Sequence, residues 1–317
     1  MTDTANGARA LIDRARRFLD RADKPARSTA APGESLAVGL QGGGAFGSYS
    51  WGVLDYLLAE TEANFAVLTG ASAGALNAAV FASGYAAGGR DGARRALLAV
   101  WDDVLKTARS EAPGAAAAFA ASRFASMFGP EQRMRLSMEP MRRIIERHVD
   151  FDAVARGPVP VFISAVRVRD WEPRIFTGAN ITADVVAASC CLPAFHEDVR
   201  VDGEPHWDGG YAANPPLPPL KRGRRRLVVA LTPPRPGAEP ATQETAASAV
   251  RPAHFSAPFA QDLARLKTWT PEIIDATPHL PAFRQAGAPT RRLLDRLFAC
   301  GRADAARWAA TSARAAE

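Results

Sequence analysis

The chain is poor in cysteine, with three in 317 residues: Cys190 and Cys191 are adjacent and Cys300 is far away. That leaves no paired spacing for a disulfide framework or a zinc site, so a reducing, cytoplasmic setting is expected. Long apolar runs are also missing. Nothing approaches the roughly 20 apolar residues needed to cross a bilayer, and the stretch before Ser35 has no signal-peptide character. A soluble protein is the expectation. Histidine is scarce, limited to His148, His196, His206, His254 and His279. Aromatics are absent from the densest basic run, Lys221-Arg222-Gly223-Arg224-Arg225-Arg226. Without them, and without zinc-finger spacing, the run reads as a solvated basic turn, and no nucleic-acid partner is expected. The net charge of +6 still favours anionic partners and fits peripheral contact with an anionic membrane.

What is present divides the chain into three parts. Residues 1–34 form an N-terminal arm and linker: Leu11, Ile12, Ala15, Phe18 and Leu19 recur at helical spacing, and a stretch rich in Pro, Ala, Ser and Gly follows. Residues 35–232 carry the core pattern. The apolar run Leu36 to Leu40 leads through glycines into a helical stretch from Ala45 to about Glu60. Phe65 to Thr69 then leads through Gly70-Ala71-Ser72-Ala73-Gly74 into an Ala-rich helix ending near Gly84. Two strand-turn-helix units in succession argue for a parallel sheet covered by helices, an α/β fold. Further strands are expected at Pro158 to Val168 and Arg174 to Thr177, a helix at Thr182 to Cys191, and a hairpin through Asp202-Gly203 into Trp207-Asp208. Arg226 to Thr232 is the last core strand expected. Residues 233–317 read as a Pro- and Ala-rich, helical C-terminal extension.

Ser72 lies in a G-x-S-x-G string between an expected strand and an expected helix. A sharp turn there pushes a serine hydroxyl out of the sheet edge, tolerates only small neighbours, and aims a helix N-terminus at the hydroxyl. The same residues also suit a serine that merely caps the helix. Gly42, Gly43 and Gly44, about thirty residues earlier, end another strand. Their backbone NH groups suit an oxyanion, but the run Gly42 to Gly47 also fits the dinucleotide pattern G-x-G-x-x-G. That alternative needs an acid at the end of the second strand, and this strand ends at Thr69-Gly70. For a base, only His254 and His279 follow Asp208, both in Pro-rich surroundings. Asp208-Gly209-Gly210 follows the hairpin directly and reads either as a closely approached carboxylate or as an ordinary Asp-Gly turn.

Taken together, the glycine strand end, G-x-S-x-G and Asp208-Gly209-Gly210 resemble the patatin-like phospholipase family. Asp150-Phe151-Asp152, the stretch from Ala188 to Phe195, and Asn214-Pro215 are similar to further blocks of that family, so the likeness spans about Leu36 to Thr232. The resemblance implies a three-layer α/β fold, with a central, mostly parallel sheet between helices. It implies a lipid acyl hydrolase that cleaves carboxylic esters with a Ser-Asp dyad and no histidine: Ser72 as nucleophile, Asp208 as base, and Gly42, Gly43 and Gly44 as oxyanion hole. No metal or organic cofactor is implied, and the partner is a lipid or other acyl ester. One departure is Phe46, where the family's glycine loop usually carries a basic residue. Ala115 to Phe128, with Phe119, Phe124, Met127 and Phe128, reads either as an apolar cover or acyl-chain wall or as plain core helix. A catalytically inactive interaction protein and a nucleotide-binding domain are the other two readings.

Overall fold

The computed structural model describes residues 35–125, 135–232, 239–248, 252–279 and 290–314. The arm at 1–34 lies outside them, as do the side chains of the Phe-containing patch at 115–128. Strand β1 (Ser35–Leu40) passes through a 3-10 turn (Gly44–Phe46) into α1 (Gly47–Glu60), and β2 (Asn64–Gly70) passes into α2 (Ala73–Ala125). The second helix does not stop near Gly84. It breaks at Gly88 and Gly89, where Gly89 has φ +58°, a left-handed conformation that glycine adopts without a Cβ clash, and then continues. Helices α3 (Glu139–His148) and α4 (Phe151–Arg156) lead to β3 (Val161–Arg167) and β4 (Glu172–Thr177). Helix α5 (Ala183–Ser189) precedes the hairpin β5 (Val199–Val201) and β6 (Glu204–Asp208). Its turn has φ +52° at Asp202 and +80° at Gly203, the double left-handed geometry that an Asp-Gly pair supplies. Then come β7 (Arg225–Ala230), α6 (Gln243–Ser248), α7 (Pro252–Arg265), β8 (Glu272–Asp275) and α8 (Arg291–Arg314).

The strands form one eight-stranded sheet in the order β5-β6-β3-β2-β1-β7-β8, with β4 alongside β3. The run from β3 to β8 is parallel, and β4, β5 and β6 supply the antiparallel pairings. Alternate residues feed two cores, as a sheet covered on both faces requires. Leu36, Val38, Leu40, Leu227 and Val229 meet Leu54, Leu57, Phe81, Leu97 and Leu297 on one face. Ala37, Val67, Val228 and Ala230 meet Leu217, Leu220 and Phe259 on the other. This is the three-layer α/β arrangement.

Two sequence readings change at the C-terminal side. Strands do not end at Thr232, because β8 pairs in parallel with β7 from Leu227↔Glu272 to Ala230↔Asp275. Helix α8 packs on α1 through two glycines: a Cβ at Gly52 would strike the Phe298 backbone, and one at Gly301 the Tyr49 backbone. Asp55 of α1, buried, pairs with Arg94 and Arg302, and the Tyr49 hydroxyl donates to Asp304. The basic run is likewise not a simple solvated turn. Arg222 sits 4.8 Å over the Phe162 ring, Arg225 sits 4.4 Å over Trp308 and pairs with Glu272 at 2.8 Å, and Arg226 sits 5.1 Å over Trp269. It lies where β7 begins, opposite Leu36 at the start of β1, so it flanks the end of the sheet away from Gly42. No described helix is long and apolar enough to cross a membrane.

Candidate active site

Strand β3 brings Ser72 and Asp208 together although it contains neither. Its first half pairs with the end of β2, Gly70 opposite Ile163, and its second half with the end of β6, Asp208 opposite Ala165. Between them, buried Ser164 donates through Oγ to the Ala213 carbonyl at 2.8 Å and reaches the Gly70 carbonyl at 3.5 Å. A Cβ at Gly209 would strike the Ser164 carbonyl. Glycine after Asp208 is therefore what lets the carboxylate-bearing turn lie against β3.

Ser72 occupies a sharp turn with φ +54°, a left-handed conformation that is uncommon for a residue with a side chain. The turn is crowded on both sides. A Cβ at Gly70 would overlap the Gly74 backbone, and one at Gly74 the Leu40 backbone. The spacing of glycines around the serine thus follows from close approach of β1, and helix α2 begins directly after it. That places a helix N-terminus, with its partial positive charge, at Ser72. The serine NH is occupied, donating to Ser189 Oγ at 2.9 Å.

Asp208 is wholly buried. Its Oδ1 accepts from the Gly210 NH at 2.8 Å, while Oδ2 has no hydrogen-bond partner. Burial pushes this carboxyl up to about 7, and the Ser72 hydroxyl and the Gly210 NH pull it partly back. The Ser72 hydroxyl is thus close enough to act on the carboxylate without a closed hydrogen bond, and such pairs are often long until a substrate is seated. No histidine is among the groups that shift Asp208. His279 instead binds Asp304 at 2.7 Å, and the His254 ring lies 6.3 Å from that of Tyr211. Burial, and next the Asp208 charge, also raise Cys190 and Tyr211. The surroundings of Asp208 are therefore desolvated and disfavour negative charge.

The glycine loop divides in its roles. The Gly42 NH donates to Asn214 Oδ1 at 2.8 Å, and a Cβ at Gly42 would stand 2.7 Å from the Ser72 Cβ. Gly42 is therefore a contact point against Ser72, not an open donor. Among the described residues the NH groups of Gly43 and Gly44 have no partner, and a Cβ at Gly44, at φ +55°, would meet nothing within 4 Å. Strand β2 ends at Gly70 without an acidic residue, so the dinucleotide reading lacks the group that would take the ribose hydroxyl. Residues that sequence reasoning gave no role are Gln41, Ser164, Ser189 and Asn214. Ser189 and Asn214 carried a signal, through the family-like stretch from Ala188 to Phe195 and through Asn214-Pro215 after Asp208-Gly209-Gly210.

Among curated proteins no sequence matches the chain. The crystal structure of VipD from Legionella pneumophila is similar at a TM-score of 0.42 and 12% identity, covering 89% of this chain and 67% of that one, too distant to carry an argument. A family model described as patatin-like phospholipase matches residues 39–221, more than half of the 317 residues, with Gly42, Ser72 and Asp208 all inside the span. The chain belongs to the patatin-like phospholipase family and thereby to the hydrolases of lipid acyl esters.

Proposed function

We propose that the chain cleaves carboxylic esters through an acyl-Ser72 intermediate, with Asp208 as the only base. The observation that carries this reading is the buried Asp208 carboxyl, raised to about 7 and facing Ser72. An ordinary aspartate, near 3.9, is too weak a base for a serine hydroxyl, and raising it toward neutrality makes proton transfer easier while leaving a carboxylate at neutral pH. Asp208 Oδ2 takes the Ser72 proton as Oγ attacks the ester carbonyl. The tetrahedral oxyanion is held by the NH groups of Gly43 and Gly44 beside the N-terminus of α2. Gly42, expected as a third donor, acts instead as the point where loop and serine touch. Collapse transfers the proton from Asp208 to the departing alcohol. Water, deprotonated by the same carboxylate, then attacks the acyl-serine, and breaking the Ser72 ester bond returns the hydroxyl.

The test is covalent labelling by a fluorophosphonate together with hydrolysis of p-nitrophenyl esters of graded chain length. Wild type should label at Ser72 and prefer longer acyl chains, and Ser72→Ala and Asp208→Asn should lose turnover while remaining folded. A folded wild type inert toward esters and lipid vesicles alike refutes the reading and favours the interaction protein.

A further inference from the structure

The geometry points to Asn214 as a positioning residue for the oxyanion donors, an inference that rests on the hydrolase reading. Asn214 is fully buried, and every polar atom of its side chain is used. Its Oδ1 accepts from the Gly42 NH at 2.8 Å, and its Nδ2 donates to the Phe255 carbonyl at 3.0 Å and to Thr232 Oγ1 at 3.4 Å. Its backbone carbonyl accepts from Gln41 Nε2 at 3.1 Å. Gln41 is in turn held by its Oε1, which accepts from the NH groups of Leu231 and Thr232, each at 2.8 Å. The first peptides of the glycine loop are therefore gripped from two sides, by the end of β7 and by the segment that follows Asp208.

Two consequences follow for the chemistry. With its NH given to Asn214, Gly42 cannot serve the oxyanion, so the task falls on Gly43 and Gly44. And because a glycine peptide is otherwise free to rotate, a fixed acceptor on Gly42 is what sets the direction of the next two NH groups. Asn214 also belongs to the stretch that carries Asp208, and Ser164 Oγ ties that stretch to β3 through the Ala213 carbonyl. Base and oxyanion donors are thus aligned by one segment. Asn214 touches no reacting atom, and its effect passes through Gly42.

The test compares Asn214→Ala and Asn214→Asp with wild type and Ser72→Ala, reading kcat and KM on a short p-nitrophenyl ester, the rate of fluorophosphonate labelling, and the thermal midpoint. Asn214→Ala should lose about 10²-fold in kcat and a similar factor in labelling rate, the scale of one misplaced oxyanion donor, with KM within about threefold. Asn214→Asp keeps an oxygen acceptor for the Gly42 NH and should stay within about tenfold of the wild-type kcat. If Asn214→Ala does not fold, Asn214→Asp alone decides: a folded variant that loses about 10²-fold overturns the proposal. Ser72-dependent hydrolysis that a folded Asn214→Ala leaves intact overturns the proposal alone. Hydrolysis unaffected by Ser72→Ala overturns the hydrolase reading and this inference with it.

Discussion

Replacing Asp208 by asparagine should make the protein more stable at neutral pH while removing its activity. The carboxyl is fully buried, and its folded-state value of about 7 lies above the ordinary 3.8. The folded chain therefore holds a proton that the unfolded chain has already released. Between those two values the unfolded state binds fewer protons, so stability falls as pH rises and then levels off above about 7. At about 1.4 kcal/mol per pH unit the accumulated cost above neutrality is on the order of 4 kcal/mol. Asparagine is neutral throughout and can keep the acceptor for the Gly210 NH, so its advantage should grow by about 3 kcal/mol from about pH 5 to about pH 8. Urea unfolding of both proteins at the two pH values measures this directly. A stability difference that does not change with pH would refute the idea that Asp208 is a strained, desolvated base.

The same carboxyl should govern turnover: kcat/KM on a neutral ester should fall about tenfold per pH unit on the acid side of about 7, and an acid limb near 4 would show an unperturbed aspartate. Gly74→Ala would drive a Cβ into the Leu40 backbone, so at least about 1–3 kcal/mol should be lost in thermal unfolding, along with Ser72 labelling; a wild-type midpoint would contradict the crowding at the turn. Asp55→Ala takes the shared carboxylate from Arg94 of α2 and from Arg302 of α8, which keeps Glu60, and should cost about 1–3 kcal/mol in urea unfolding, against near-neutral behaviour if both arginines turn to solvent.

The features legible in the sequence were those whose physics is local. The glycines around Ser72 and the Asp202-Gly203 hairpin announce themselves because each backbone turn demands small residues at adjacent positions. The unbroken apolar runs of β1 and β7 were equally readable, because a sheet covered on both faces buries successive residues. What escaped were partnerships across long separations. Nothing near Gly42 shows that its NH is taken by Asn214, and nothing near Arg225 shows that it rests on Trp308. Strand β8 escaped because Glu272–Asp275 is only four residues, two isoleucines between two acids, too short to show a period, and is fixed by its pairing with β7. In α8 the charges that blur its apolar stripe, Arg302 and Asp304, are the groups that bind α1.

The seating of α8 on α1 bears on how the chain is made. Helix α1 is synthesised early, yet the residues that cover Tyr49, Gly52 and Asp55 are Phe298, Gly301, Arg302 and Asp304, near the end of the described chain. During translation the growing polypeptide exposes that apolar surface, and the open edge of β7, until residues 272–304 leave the ribosome. A stop codon or frameshift within that stretch would leave Ser72 and Asp208 encoded but their sheet unfinished, a species with sticky surfaces that chaperones and proteases recognise.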